Sequence, residues 1–333
     1  MRFAVESWSP DYGAPTTDQT LVESPAEVDA WVEAAPEQWS PRRPSSGAGP
    51  LDSILFVDGM RRVEAHVWIT TDDGQVHQGL CASFASGGVL CNGAAVVVGP
   101  QVRRGLFSST PHAEPIVTSH ARFDLHSDVR SESSDLTLLV QDAMARLEVD
   151  VARLSHDEAS LVVVDGPLRQ GHNTGQPSSD IALVGYIKTH TTSYGPPVVR
   201  ETVTRLGPGE RTPIMALGGR HPKFSWYLRL PCDVAHGWSG VVRLETLARH
   251  PATEVVSFAD RLALTLGRYA SAPQKDPRAP QNLYPIGGLE RELRRRLGDA
   301  GLVYRSLRVA SAVEKINAGG HSRSLDLGSR RPP

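Results

Sequence analysis

Cysteine is scarce in these 333 residues. Cys81, Cys91 and Cys232 are odd in number and show no close-paired spacing, which excludes a disulfide framework and a structural zinc site. Long apolar runs are missing as well. No stretch approaches the about 18 apolar residues needed to cross a bilayer. The first residues, Met1 to Glu6, form no apolar core of signal-peptide length, so a soluble, untargeted, cytoplasmic chain with no membrane partner is expected. Excess positive charge is also absent: the formal net charge is −2, so nucleic acid can be bound only through a local basic face. What is present suffices for a core, since 40% of residues are hydrophobic and 22% charged.

Pro and Gly are concentrated between apolar runs and at both ends. Residues 1–50 read as an arm and linker closing on the stretch from Ser40 to Pro50, with a short helix expected from Ala26 to Ala34, where Val28, Trp31 and Val32 share a face. Ile54-Leu55-Phe56-Val57 reads as a strand buried on both faces and ending in Asp58. Strands at Val63–Thr70 and Val76–Phe84, joined by an Asp72-Asp73-Gly74 turn, complete an expected antiparallel meander. Short strands follow near Val96 and Val117, then a loop after Phe123. From Leu136 to Leu154 the apolar residues follow the helical period. Leu161-Val162-Val163-Val164 forms a second buried strand, ending in Asp165-Gly166, and Ile181–Ile187 a third, ending at Lys188. Later strands are expected at Trp226–Leu230 and Val241–Leu247, and helices at Glu254–Tyr269 and Gly287–Leu297. One domain over 51–316 and a disordered tail over 317–333 complete the expected layout.

Meander, long helix, strand, further strand is the order of a ribonuclease-H-like core: an α/β fold with a mixed sheet flanked by helices, here with a C-terminal helical extension. In that arrangement the strands ending in Asp58 and Asp165 can be neighbours. Two carboxylates forced together repel unless a proton or a cation sits between them, so paired strand-end aspartates suit a divalent metal. Gly59 and Gly166 clear space beside them for a phosphate backbone or a metal's water shell. Glu148, at the border of the long helix's apolar stripe, is the candidate third carboxylate. Oxygen-only ligation by Asp58, Glu148 and Asp165 suits manganese or magnesium and phosphodiester hydrolysis.

Each of these residues has a plainer reading. An aspartate before glycine at a strand end serves in turns and caps, and Glu148 fits a solvated helix face. Lys188 fits either a phosphate contact or the point where a strand meets water. Between Glu290 and Arg308 six arginines, Arg291, Arg294, Arg295, Arg296, Arg305 and Arg308, stand against Glu290, Glu292 and Asp299. That stretch is a candidate DNA face or an ordinary solvated helix with its own ion pairs.

Five blocks in order, Phe56-Val57-Asp58-Gly59, Ala145-Arg146-Leu147-Glu148, Val163-Val164-Asp165-Gly166-Pro167-Leu168, Gly185-Tyr186-Ile187-Lys188 and Tyr284-Pro285, resemble the NurA nuclease family. The resemblance runs roughly from Ser53 to Gly298. It implies a ribonuclease-H-like, manganese-dependent nuclease acting on single- and double-stranded DNA, as a 5'-3' exonuclease and single-strand endonuclease in DNA-end processing and repair. It further implies a homodimer working with a HerA-like hexameric ATPase translocase. Asp58, Glu148 and Asp165 match the family's metal-binding carboxylates. The chain departs from the family at Met60, where a small Ser is usual, and after Tyr284-Pro285, where a histidine is usual. Glu292 falls nearest that histidine's place without a gap, and Glu290 is the adjacent choice.

The leading expectation is a two-metal DNA phosphodiesterase using Asp58, Glu148, Asp165, Lys188 and Glu292. The missing histidine motivates an alternative, a catalytically silent module that binds DNA or a translocase. An aspartate-nucleophile phosphatase ranks lower, because Asp58-Gly59-Met60-Arg61 lacks the second nearby acid needed to protonate a leaving group.

Overall fold

The computed structural model describes residues 22–24, 26–127, 136–154, 159–169 and 182–325. Two short strands, β1 (Val22–Glu23) and β2 (Val28–Asp29), precede three long ones, β3 (Ile54–Thr70), β4 (Val76–Asn92) and β5 (Ala94–Ser108). Next come β6 (Ile116–Val117), β7 (Arg122–Ser127), helix α1 (Leu136–Leu154), β8 (Leu161–Asp165), β9 (Ala182–Ile187) and β10 (Thr192–Ser193). Helix α2 (Pro197–Arg205) is followed by β11 (Met215–Leu217), β12 (Lys223–Arg229) and β13 (Val241–Leu247). Helices α3 (Ala252–Leu266), α4 (Tyr284–Leu297) and α5 (Ala300–Leu325) close the series. The fold is mixed α/β, with a large mixed sheet flanked by helices. No helix among the described residues is long and apolar enough to cross a membrane.

The chain divides into two compact units. One comprises Met1–Asp58, Gly87–Pro100 and Glu148–Arg291, the other Gly59–Ser86, Gln101–Leu147 and Glu292–Pro333. In the first, the strand order β2-β11-β12-β13-β9-β8-β3 places β8 between β9 and β3. Both of these pairings are parallel, whereas β9, β13, β12 and β11 pair antiparallel in turn. Ile54–Val57 and Leu161–Val164 are buried throughout, as expected of aliphatic runs in the parallel part of a sheet covered on both faces. Val151 and Ala152, from the last turns of α1, pack against Leu55, Val57, Val162 and Val164. In the second unit the first turns of α1, through Leu136, Val140, Ala143 and Leu147, cover Leu80, Ala82, Phe84 and Phe107. There, Val303 and Leu307 of α5 pack with Cys81, Leu106 and Phe123.

Helix α1 and strands β8 and β13 fall where the sequence places them. Elsewhere the structure differs. The first two expected strands are one continuous strand, β3, since Gly59 does not interrupt a strand whose neighbours carry it onward. The meander's third member is β5, longer than the short strand expected near Val96. No helix spans Ala26–Ala34: β2 ends in a turn in which Asp29 Oδ1 accepts from Trp31 N at 2.9 Å, a local bond that competes with helix. Ala30, Ala34 and Trp39 are buried in a core with Val203, Met215 and Tyr227, so this part of the expected arm is packed. Helix α4 starts at Tyr284 rather than Gly287, because Pro285 in a first turn costs no helical hydrogen bond. Helix α5 is additional to the expected elements and continues to Leu325, past Asn317 and into the expected tail. The arm before Val22 and the tail beyond Leu325 lie outside the described residues.

Candidate metal centre

The register decides where the aspartates stand. Val57 pairs with Val164 in the parallel β3–β8 ladder, so Asp58 and Asp165, each next in sequence, emerge side by side at the same end of the sheet. Beyond Asp165 the chain must turn sharply, and Gly166 does so at φ +107°, a conformation that L side chains rarely adopt. Gly166 N donates to Tyr186 O at 2.8 Å. Gly185, on the adjoining strand, gives the turn room: a Cβ there would lie 2.9 Å from Gly166 O and 3.0 Å from Leu168 N. The buried Glu245 carboxylate accepts from Leu168 N at 2.7 Å, Lys223 Nζ at 2.6 Å and Arg243 at 2.9 Å, which fixes the turn from behind.

A third carboxylate arrives from α4. Ligand atoms of Asp58, Asp165 and Glu290 all lie within 4.8 Å of one another. Asp58 is buried, and the other two are half-buried. Arg278 grips Glu290 with both terminal nitrogens, one of them donating to Oε1 at 2.8 Å, and thereby orients the carboxylate. Lys188, just past β9, donates through Nζ to Asp165 Oδ2 at 2.5 Å and to Asn282 Oδ1 at 3.0 Å.

Burial is the largest influence on Asp58 and raises its carboxyl well above the usual range. Asp165, Glu290 and Glu148 push the same way, and Lys188 opposes them. Glu148 stands outside the close trio, yet it too is buried; burial first, then Asp165, lift its carboxyl to about 7, with Arg169 lowering it. Glu292 is not part of that acidic group. Its carboxylate accepts from Arg295 at 2.8 Å and Arg296 at 2.7 Å, which hold it down at about 2. The structure therefore brings Glu290, and not Glu292, to the aspartates. Arg278 and Asn282 are site residues that the sequence reading does not include; their only signal is position, in the polar stretch just before the Tyr284-Pro285 block.

The donor set suits a hard divalent cation. Two oxygens bound to one ion at about 2.1 Å can be at most about 4.2 Å apart, so small side-chain rotations bring this trio into range. Burial, helped by the neighbouring acids, disfavours an ionised Asp58, and a cation would favour it.

Fold and site together define an α/β protein with an oxygen-only carboxylate cluster at the ends of two parallel strands. A NurA-domain family model matches residues 84–286, more than half of the sequence, and the chain belongs to the NurA family. The activity class of that family is that of a nuclease, a hydrolase. The matched span contains Glu148, Asp165 and Lys188, while Asp58 lies well before its start and Glu290 just past its end. Among solved structures the chain is similar to the NurA nuclease from Sulfolobus solfataricus, at 10% identity over 89% of this chain and 90% of that one, with a TM-score of 0.42. No curated protein matches it.

Proposed function

We propose that the protein is a metal-dependent DNA nuclease whose centre is formed by Asp58, Asp165 and Glu290, with Glu148 as the bordering fourth carboxylate, on a ribonuclease-H-like core. The observation that carries this reading is the approach of three carboxylates to within 4.8 Å at adjacent strand ends. A divalent ion there, manganese or magnesium, would orient a water and stabilise the leaving oxygen of a phosphodiester. The chain's own residues do the rest. Asp58 and Asp165 present their oxygens from rigid strands, Arg278 holds Glu290 in place, and Lys188 offers an ammonium to the scissile phosphate.

The resemblance to the NurA family supports a finer reading: 5'-3' exonuclease and single-strand endonuclease action in DNA-end repair, in the cytoplasm, as a homodimer with a HerA-like translocase. The absence of the family's usual histidine favours one other reading, a silent module that binds DNA or a translocase. Incubating the purified protein with end-labelled linear DNA and manganese, magnesium or chelator decides between them. Shortening with metal and none with chelator is expected; intact DNA under every condition would leave the silent module.

A further inference from the structure

Asn282 is fully buried, and each end of its side-chain amide is committed. The ammonium of Lys188 can only donate and the carboxylate of Asp276 can only accept, so the amide has one possible orientation. Oδ1 receives Lys188 Nζ at 3.0 Å, and Nδ2 donates to Asp276 Oδ2 at 2.8 Å. Nδ2 also lies 3.5 Å from Glu290 Oε2. Asp276 is fixed in turn, because its Oδ1 accepts from Arg278 N at 2.8 Å.

Two further features hold the amide still. Tyr186, two residues before Lys188 and so on the same side of its strand, donates from its buried hydroxyl to Gln281 O at 2.7 Å. The segment carrying Asn282 is thus tied at successive residues to the strand that carries Lys188. Below it, Gly287 of α4 leaves no spare volume: a Cβ there would lie 2.9 Å from Asp276 Oδ2 and 3.2 Å from Asn282 Nδ2.

We propose that Asn282 is a positioning residue for Lys188. A lysine ammonium has three donors on a flexible four-carbon stem. With Asp165 and Asn282 each taking one, the third is directed at an incoming phosphate oxygen. Without Asn282 the ammonium keeps its bond to Asp165 but loses its aim, and a misplacement of about 1 Å can cost roughly 100-fold in rate. This rests on the reading of Lys188 as the phosphate contact.

The test is a double-mutant cycle on full-length protein: wild type, Asn282→Ala, Lys188→Met and the double variant. The readouts are cleavage rate at saturating DNA, half-saturating DNA concentration and calorimetric manganese affinity. Asn282→Ala is expected to slow the saturated rate by ~10–100-fold. Its half-saturation and manganese affinity should change far less than its rate, because Asn282 is no ligand and Arg278 still holds Glu290. The double variant should be no slower than Lys188→Met, since the two residues act as one unit.

Equal slowing by Asn282→Ala with and without Lys188 would overturn the proposal, as would a wild-type rate. If the alanine variant does not fold, Asn282→Ser, which fills more of the site without reaching Lys188, is read in the same cycle. Failure of both to fold would make Asn282 a core residue and overturn the assignment. Wild-type protein that leaves DNA intact in every metal would overturn the nuclease reading itself, and this assignment with it.

Discussion

Lys188 Nζ lies 2.5 Å from Asp165 Oδ2, and Lys188 lowers the Asp58 carboxyl while three acids raise it. Lys188 and Arg278 pair with Asp165 and Glu290, yet burial keeps the carboxyls of Asp58 and Glu148 raised. Those raised carboxyls have consequences that can be measured without any substrate.

The metal-free protein should become less stable as the buried carboxyls ionise. Glu148 rises from near 4.5 to about 7 on folding. A raised folded value means that its contribution is fully present below about 4.5 and is lost as pH climbs through about 7, by on the order of 3 kcal/mol. Asp58 acts in the same direction. His190 acts oppositely, since burial depresses it to about 4 and stability falls as acid protonates it. The informative quantity is therefore the difference between wild type and Glu148→Gln in urea unfolding with chelator. The variant should match wild type to within about 1 kcal/mol at about pH 5 and exceed it by roughly 2–3 kcal/mol at about pH 8.5. Parallel pH profiles would contradict the burial argument.

DNA binding should draw on the arginines of α4. Arg294, Arg295 and Arg296 are exposed. In the same unit, Arg62 and Arg104 donate to the Leu297 carbonyl at the helix's C-terminal end, adding positive charge beside them. Reversing Arg294 and Arg295 to Glu should weaken binding and flatten the log–log salt dependence by about 2, since each phosphate that is no longer neutralised removes about 0.9 from the slope. The Arg295–Glu292 pair is on the surface, and removing it should leave the fold intact. Fluorescence anisotropy at several salt concentrations measures both quantities, and an unchanged slope would show the stretch to be only a solvated face.

Asp58, Asp165 and α1 are legible in sequence because their signals are local: an aliphatic run closed by Asp-Gly, and a regular helical period. The choice between Glu290 and Glu292 is not. Two residues apart on a helix, they point about 160° from each other, so only one can face the aspartates. Which one does depends on where α4 starts and how it lies against β3 and β8, and Pro285 and Gly287-Gly288 conceal that start. Asn282 is harder still, since a single amide gains its meaning only from Lys188 and Asp276, which the sequence does not mark as its partners. Trp39 falls within an expected arm because the loop-like composition around it hides a few buried anchors.

Calorimetric titration of manganese into four chelator-treated proteins, wild type, Asp58→Asn, Glu290→Gln and Glu292→Gln, tests the carboxylate centre most directly. Replacing a ligating carboxylate by an amide removes a ligand charge, so Asp58→Asn and Glu290→Gln should each bind manganese at least ~10-fold more weakly. Glu292→Gln should bind as wild type does. Equal affinity in all four proteins, or weakened binding confined to Glu292→Gln, would contradict the account.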